Sequence, residues 1–103
     1  MRILILFDLP SISSKEKKAY RHFRNFIMDD GFEMMQLSVY TRFCRNAVDA
    51  QKHIARILLI APADGNVRII TVTEKQYEDM ILVIGHKSET EKAINKDFLT
   101  VIE

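Results

Sequence analysis

An α+β domain built on an antiparallel sheet is what this chain predicts, and three observations carry that reading. The apolar run Ile3-Leu4-Ile5-Leu6-Phe7 has no helical spacing and reads as a strand buried on both faces. Two stretches with helical periodicity, about 14–30 and 47–59, each follow a strand-like segment. Alternating or β-branched segments at 33–44 and 67–73 supply further strands.

The first strand stops at Asp8, and Pro10 blocks further ladder pairing. Ser13-Ser14-Lys15-Glu16 fits a capping box that opens the first helix, with Ala19, Tyr20, Phe23, Phe26 and Ile27 as its apolar face. Gly31 suits a left-handed helix end, with Phe32 folding back onto the last turn. Residues 33–44 then place Met35, Leu37, Val39, Thr41 and Phe43 on one side and Gln36, Ser38, Tyr40 and Arg42 on the other. The segment is one bent strand or two that meet near Gln36–Ser38. Asn46 caps the second helix, which turns Ala50, Ile54, Ile57 and Leu58 inward. Ala61-Pro62-Ala63-Asp64-Gly65 is a turn before the strand at 67–73, and Thr73 caps a single helical turn. Met80–Ile84 reads as another short strand ended by Gly85, 86–97 as a charged loop, and 98–102 as a last strand.

The order β-α-β-β-α-β is that of the ferredoxin-like plait, with both helices on one face of the sheet and extra strands at the C-terminus. Residues 1–85 form that domain and 86–103 a C-terminal extension that supplies a strand for a dimer or for partner docking. The uncovered sheet face and the spare strands at 80–84 and 98–102 predict a homodimer.

At 103 residues, with 48% hydrophobic and 28% charged side chains, this is one ordinary globular domain. The lone Cys44 excludes an intrachain disulfide and reads as a small hydrophobe at a strand end. No segment has signal-peptide or membrane-spanning character, which predicts a cytoplasmic protein without a membrane partner. The net charge of +1 hides an asymmetry, with a basic front half and an acidic tail.

Two features carry chemistry. Asp8 ends a rigid strand and opens into a loop, a position that suits a metal ligand or a catalytic acid as well as a turn. One carboxylate is too few for a hard cation, and a symmetric dimer would bring a second. The first helix gathers Lys15, Lys17, Lys18, Arg21, His22 and Arg24 with Glu16 as its single acid in that stretch. Lys17, Arg21 and Arg24 share a face and could follow a phosphate backbone, with Arg42, Arg45 and Arg68 to widen the patch. The same run would also serve as a solvated helix face. His22, His53 and His86 match no catalytic or metal motif and read as surface or core residues.

Three stretches together resemble one family. They are Ile3 to Pro10, then Tyr20-Arg21-His22-Phe23-Arg24-Asn25-Phe26 through Gly31-Phe32 to Gln36-Leu37-Ser38-Val39-Tyr40, and Val72-Thr73-Glu74-Lys75-Gln76-Tyr77. They are similar to the CRISPR-associated protein two family, and most to its type II branch. The resemblance covers about residues 1–85. It implies a ferredoxin-like homodimer in which Asp8 of each subunit is catalytic and shares a Mg²⁺ ion or another divalent cation. It also implies metal-dependent endonuclease activity on RNA or DNA, and a second role in CRISPR adaptation as a bridge that binds duplex DNA between CRISPR integrase subunits. A small ferredoxin-like regulatory domain that binds a metabolite between subunits is the competing class, because this fold hosts many functions.

Overall fold

Residues 1–85 are described by a computed structural model, and within them the elements run β1 (Arg2–Asp8), α1 (Ser14–Asp29), β2 (Glu33–Gln36), β3 (Val39–Phe43), α2 (Ala47–Ile60), β4 (Asn66–Val72) and α3 (Glu74–Glu78). The four strands form one antiparallel sheet in the order β2-β3-β1-β4. This is the ferredoxin-like arrangement, and it leaves β1 with a neighbour on each side.

Alternation along β1 decides what each face does. Ile3, Ile5 and Phe7 point to the helices and are buried with Phe23, Ile27, Tyr40, Ala50 and Ile57. Phe7 meets Phe23 and Tyr20 edge to face at centroid distances of 5.3 and 5.9 Å and stacks on Tyr40 at 5.6 Å. Burial of one such ring stabilises the fold by roughly 2–3 kcal/mol. Leu4, Leu6 and Asp8 point to the other face, where Leu6 is 41% exposed. The expectation of a strand buried on both faces therefore fails for the single chain. Among the described residues α1 and α2 cover one face, and on the other Leu6, Phe43 and Ile70 stay exposed.

The local signals produce the predicted helix ends. Ser13 Oγ accepts from the Glu16 amide at 3.1 Å, and Glu16 Oε1 accepts from the Ser13 amide at 2.9 Å. At the other end the Phe32 amide donates to the Ile27 carbonyl and the Gly31 amide to that of Met28, both at 3.0 Å. That is a Schellman motif, and Gly31 takes its left-handed position at φ 92°. Two inward residues are corrected: Ala19 and Leu58 are exposed. On α2 the buried residues are Ala50, His53 and Ile57, and His53 is 3% exposed and bonds to Asp30 at the end of α1.

Residues 33–44 are two strands joined at Leu37–Ser38, with a bulge between Met34 and Gln36. Val39, Thr41 and Phe43 share the open face with Leu6, Leu4 and Arg2, their partners across the ladder. Thr73 and Gln76 close a second capping box at the start of α3. The strand expected at 80–84 is absent. Those residues lie in irregular backbone with Ile81, Leu82, Val83 and Ile84 exposed, and no strand among the described residues pairs with them. The strand expected at 98–102 and the loop at 86–97 fall outside the described residues.

Candidate active site and nucleic-acid interface

Asp8 is the last residue of the sheet's inner strand β1, and backbone contacts hold it from both sides. Toward β3, the Phe7 amide donates to the Ser38 carbonyl at 3.0 Å, with Ser38 in the left-handed region at φ 63°. Toward β4, Gly65 packs so closely that an added Cβ would lie 2.7 Å from the Asp8 carbonyl oxygen and 2.9 Å from Leu9 Cδ2. Gly65 also has φ 96°, so a side chain there is excluded twice. The Asp8 carboxylate itself is exposed and opens into a shallow groove of about 240 Å³ on the uncovered face, shared with Ser38, Asn66 and Arg68. A rigid backbone that carries an open side chain is what a ligand-binding acid needs.

Among the described residues no group of three or more acids, histidines or cysteines could hold a metal ion. Asp30, at the end of α1, is engaged elsewhere. Asp30 accepts from His53 Nδ1 and Arg56 Nη1, both at 2.7 Å, which fastens α1 to α2. His53 Nε2 faces Asp49 Oδ1 at 3.5 Å without a good hydrogen bond. Asp8 thus offers one hard oxygen ligand group per chain. That donor set fits a Mg²⁺-type ion, which takes one or two carboxylates and completes its shell with waters and substrate phosphate. It fits as half a site, which a second chain's Asp8 would double.

The cations of α1 are all exposed, and none forms an ion pair among the described residues. Glu16, the acid among them, is committed to the capping box, and the Ser13 amide holds its carboxyl below the usual carboxylate range. Lys17, Arg21 and Arg24 therefore form an uncompensated stripe, spaced four and three residues apart on one helix face. The expected widening of this patch does not occur. Arg42 donates to the Asp30 and Phe43 carbonyls, both at 2.7 Å, and Arg45 lies beside Asp49. Arg68 points to the opposite face of the sheet. Asp8 and the basic stripe are likewise not brought together: one opens on the bare face, and the other rides on the helix that covers the opposite face.

Arg2 is a residue whose importance the sequence reading missed. It is 6% exposed, its Nε donates to Glu74 Oε1 at 2.8 Å, and its guanidinium lies over the Tyr77 ring. It fastens α3 onto one end of the open face and leaves the Asp8 end bare. The only local signal is a charge beside an apolar strand, which does not reveal a partner 72 residues away. Cys44 is buried as expected, and burial pushes its thiol pKa up.

This geometry defines a ferredoxin-like domain with an open strand-end carboxylate and a cationic helix. A family model described as CRISPR associated protein Cas2 matches residues 1–80. A CRISPR-associated endoribonuclease Cas2 from Acidovorax ebreus (strain TPSY) is 45% identical over 95 residues, which span 92% of this chain and 93% of that protein. The protein of the same name from Campylobacter jejuni subsp. jejuni is 40% identical over 103 residues, or 100% of this chain and 72% of its own. One from Ligilactobacillus salivarius is 45% identical over 87 residues, covering 84% and 86% of the two chains. The chain belongs to the Cas2 family of CRISPR-associated proteins. No helix of the described residues is long and apolar enough to cross a membrane.

Proposed function

We propose that this protein is a homodimeric, metal-dependent endonuclease of CRISPR systems that cleaves phosphodiester bonds in RNA or DNA at Asp8. The observation that carries the reading is the exposed Asp8 carboxylate, clamped at the end of β1 and opening on an apolar face that the described residues leave bare. A dimer packed through that face buries Leu6, Phe43 and Ile70 and can place two Asp8 carboxylates in one site. The exposed run Ile81–Ile84 gives the partner a strand to pair beside the free edge of β4. Without a cation the two carboxylates would repel. Each Asp8 supplies oxygen ligands and can accept a proton from the attacking water or hydroxyl. A Mg²⁺ ion bound there supplies Lewis-acid polarisation of the scissile phosphate. The endoribonuclease names of the relatives, and family membership itself, favour this chemistry over a metabolite-binding regulatory domain.

A second reading has its own support. Lys17, Arg21 and Arg24 lie on the side of the sheet away from Asp8, so duplex DNA held on α1 need not enter the Asp8 groove. This suits a bridge in CRISPR adaptation that presents DNA to integrase subunits, docked through the C-terminal extension.

Asp8→Asn tests both. The variant should fold and dimerise, since the carboxylate is exposed, yet lose Mg²⁺-dependent cleavage. Wild-type protein that cleaves neither RNA nor duplex DNA with any divalent cation overturns the nuclease reading. Spacer integration with the partner enzyme survives in Asp8→Asn if the bridge role needs no cleavage and is lost if cleavage is required.

A further inference from the structure

Strand β4 alternates between two environments, and Arg68 is out of keeping with its own. Val67 and Ile69 pack against the core, while Asn66, Arg68, Ile70 and Val72 turn to the open face. Ile70 and Val72 keep that face apolar. Arg68 interrupts it next to Asp8. The register sets Asp8 opposite Asn66 and Leu6 opposite Arg68. Arg68 is therefore the diagonal neighbour of Asp8, roughly 7–8 Å away and within the reach of a long side chain. Both line the same groove of about 240 Å³.

The other arginine of this face, Arg2, is occupied by Glu74 and Tyr77. Arg68 is exposed and makes no hydrogen bond or ion pair among the described residues. A solvated arginine gains nothing from an apolar sheet face, whereas an anion-binding arginine gains from a position beside a metal-binding carboxylate.

We propose that Arg68 is the phosphate-binding residue of the Asp8 site, a role that rests on the cleavage reading above. In phosphodiester cleavage a new P–O bond forms to the attacking oxygen as the P–O bond to the leaving sugar oxygen breaks. The attacking group's proton passes to Asp8 or solvent, and the leaving oxygen takes one from water. Negative charge on the non-bridging oxygens is greatest between these events. A guanidinium meets two such oxygens with parallel N–H donors and stays charged throughout. Asn66, directly opposite Asp8, adds a neutral amide donor in the same groove.

The experiment uses the full chain with Mg²⁺ and end-labelled RNA and duplex DNA. Arg68→Gln should lower kcat by about 10²-fold, the usual effect of removing one donor to developing oxyanion charge. It should leave the sedimentation coefficient unchanged. Arg68→Lys should recover part of the rate, because it keeps the charge without the paired donors. Added guanidinium ion at millimolar concentration should accelerate Arg68→Ala but not Asp8→Asn, a rescue that a structural role would not give. Wild-type kcat in Arg68→Gln overturns this inference alone. So does a rate loss that follows dissociation of the dimer and resists guanidinium. No cleavage by the wild type overturns the nuclease reading, and this inference falls with it.

Discussion

Arg2 and Tyr77 stack across one end of the open sheet face, the guanidinium carbon 4.3 Å from the ring centroid, while Glu74 closes an ion pair on the same arginine at 2.8 Å. One side chain from the start of β1 thereby holds the helix that follows β4. Arg2→Ala should cost about 2–3 kcal/mol, since it removes the cation–π contact and leaves Glu74 partly buried without its partner. For a domain of this size that lowers the melting temperature by roughly 10–20 °C. Glu74→Gln keeps a hydrogen-bond acceptor and should cost about half as much. Thermal unfolding by circular dichroism checks both. Equal stability of Arg2→Ala and wild type would show that α3 is held by its other contacts.

Duplex binding should be steeply salt-dependent and largely independent of sequence, because the α1 cations are uncompensated and exposed. Arg21→Glu combined with Arg24→Glu should reduce the slope of log affinity against log salt by about 2, close to 0.9 for each lost phosphate contact. Fluorescence anisotropy over a salt series reads this directly. An unchanged slope would place the contact on another surface.

Dimerisation should be sensitive to charge on the open face. Leu6 is 41% and Ile70 53% exposed in the single chain, and both sit in the middle of that face. Leu6→Glu or Ile70→Asp should yield a folded monomer at micromolar concentration in sedimentation velocity, because each would bury an unpaired carboxylate in the interface. Dimers that persist in both variants would move the interface elsewhere.

Cys44 should resist alkylation in the native state. Its thiol is fully buried and its pKa raised, first by desolvation, so the thiolate is scarcer than for a free cysteine at pH 8. Iodoacetamide should modify it at the rate of unfolding, and mass spectrometry with and without denaturant measures the difference. Rapid native labelling would show that the β3 end opens readily.

The sequence made short-range features legible. The capping boxes at Ser13 and Thr73 and the left-handed Gly31 depend on residues within one helical turn, and all three form. The sequence left one bent strand or two meeting near Gln36–Ser38, and the second of these is what forms. What failed depended on distant partners. Met80–Ile84 is apolar enough for a strand, but a strand needs a partner, and none of the four described strands pairs with it. His53 turns inward on α2 because Asp30, 23 residues before it in the chain, bonds to its ring, a partner the local sequence does not reveal. Arg42 and Arg68 could not be assigned a side of the sheet until the register was known. Of the candidate site, the position of Asp8 at a strand end was readable, whereas its clamping by Ser38 and Gly65 was not.

The inner position of β1 governs the order in which the protein can be completed during synthesis. The strand that bears Asp8 emerges before both of its partners, residues 39–43 and 66–72. A nascent chain that stops short of β4 leaves one edge of β1 unpaired and lacks Gly65, which presses on the Asp8 backbone. Asp8 is therefore translated well before its partners but acquires a fixed position only once β4 has emerged. Premature termination products thus carry the acid without the scaffold that aims it.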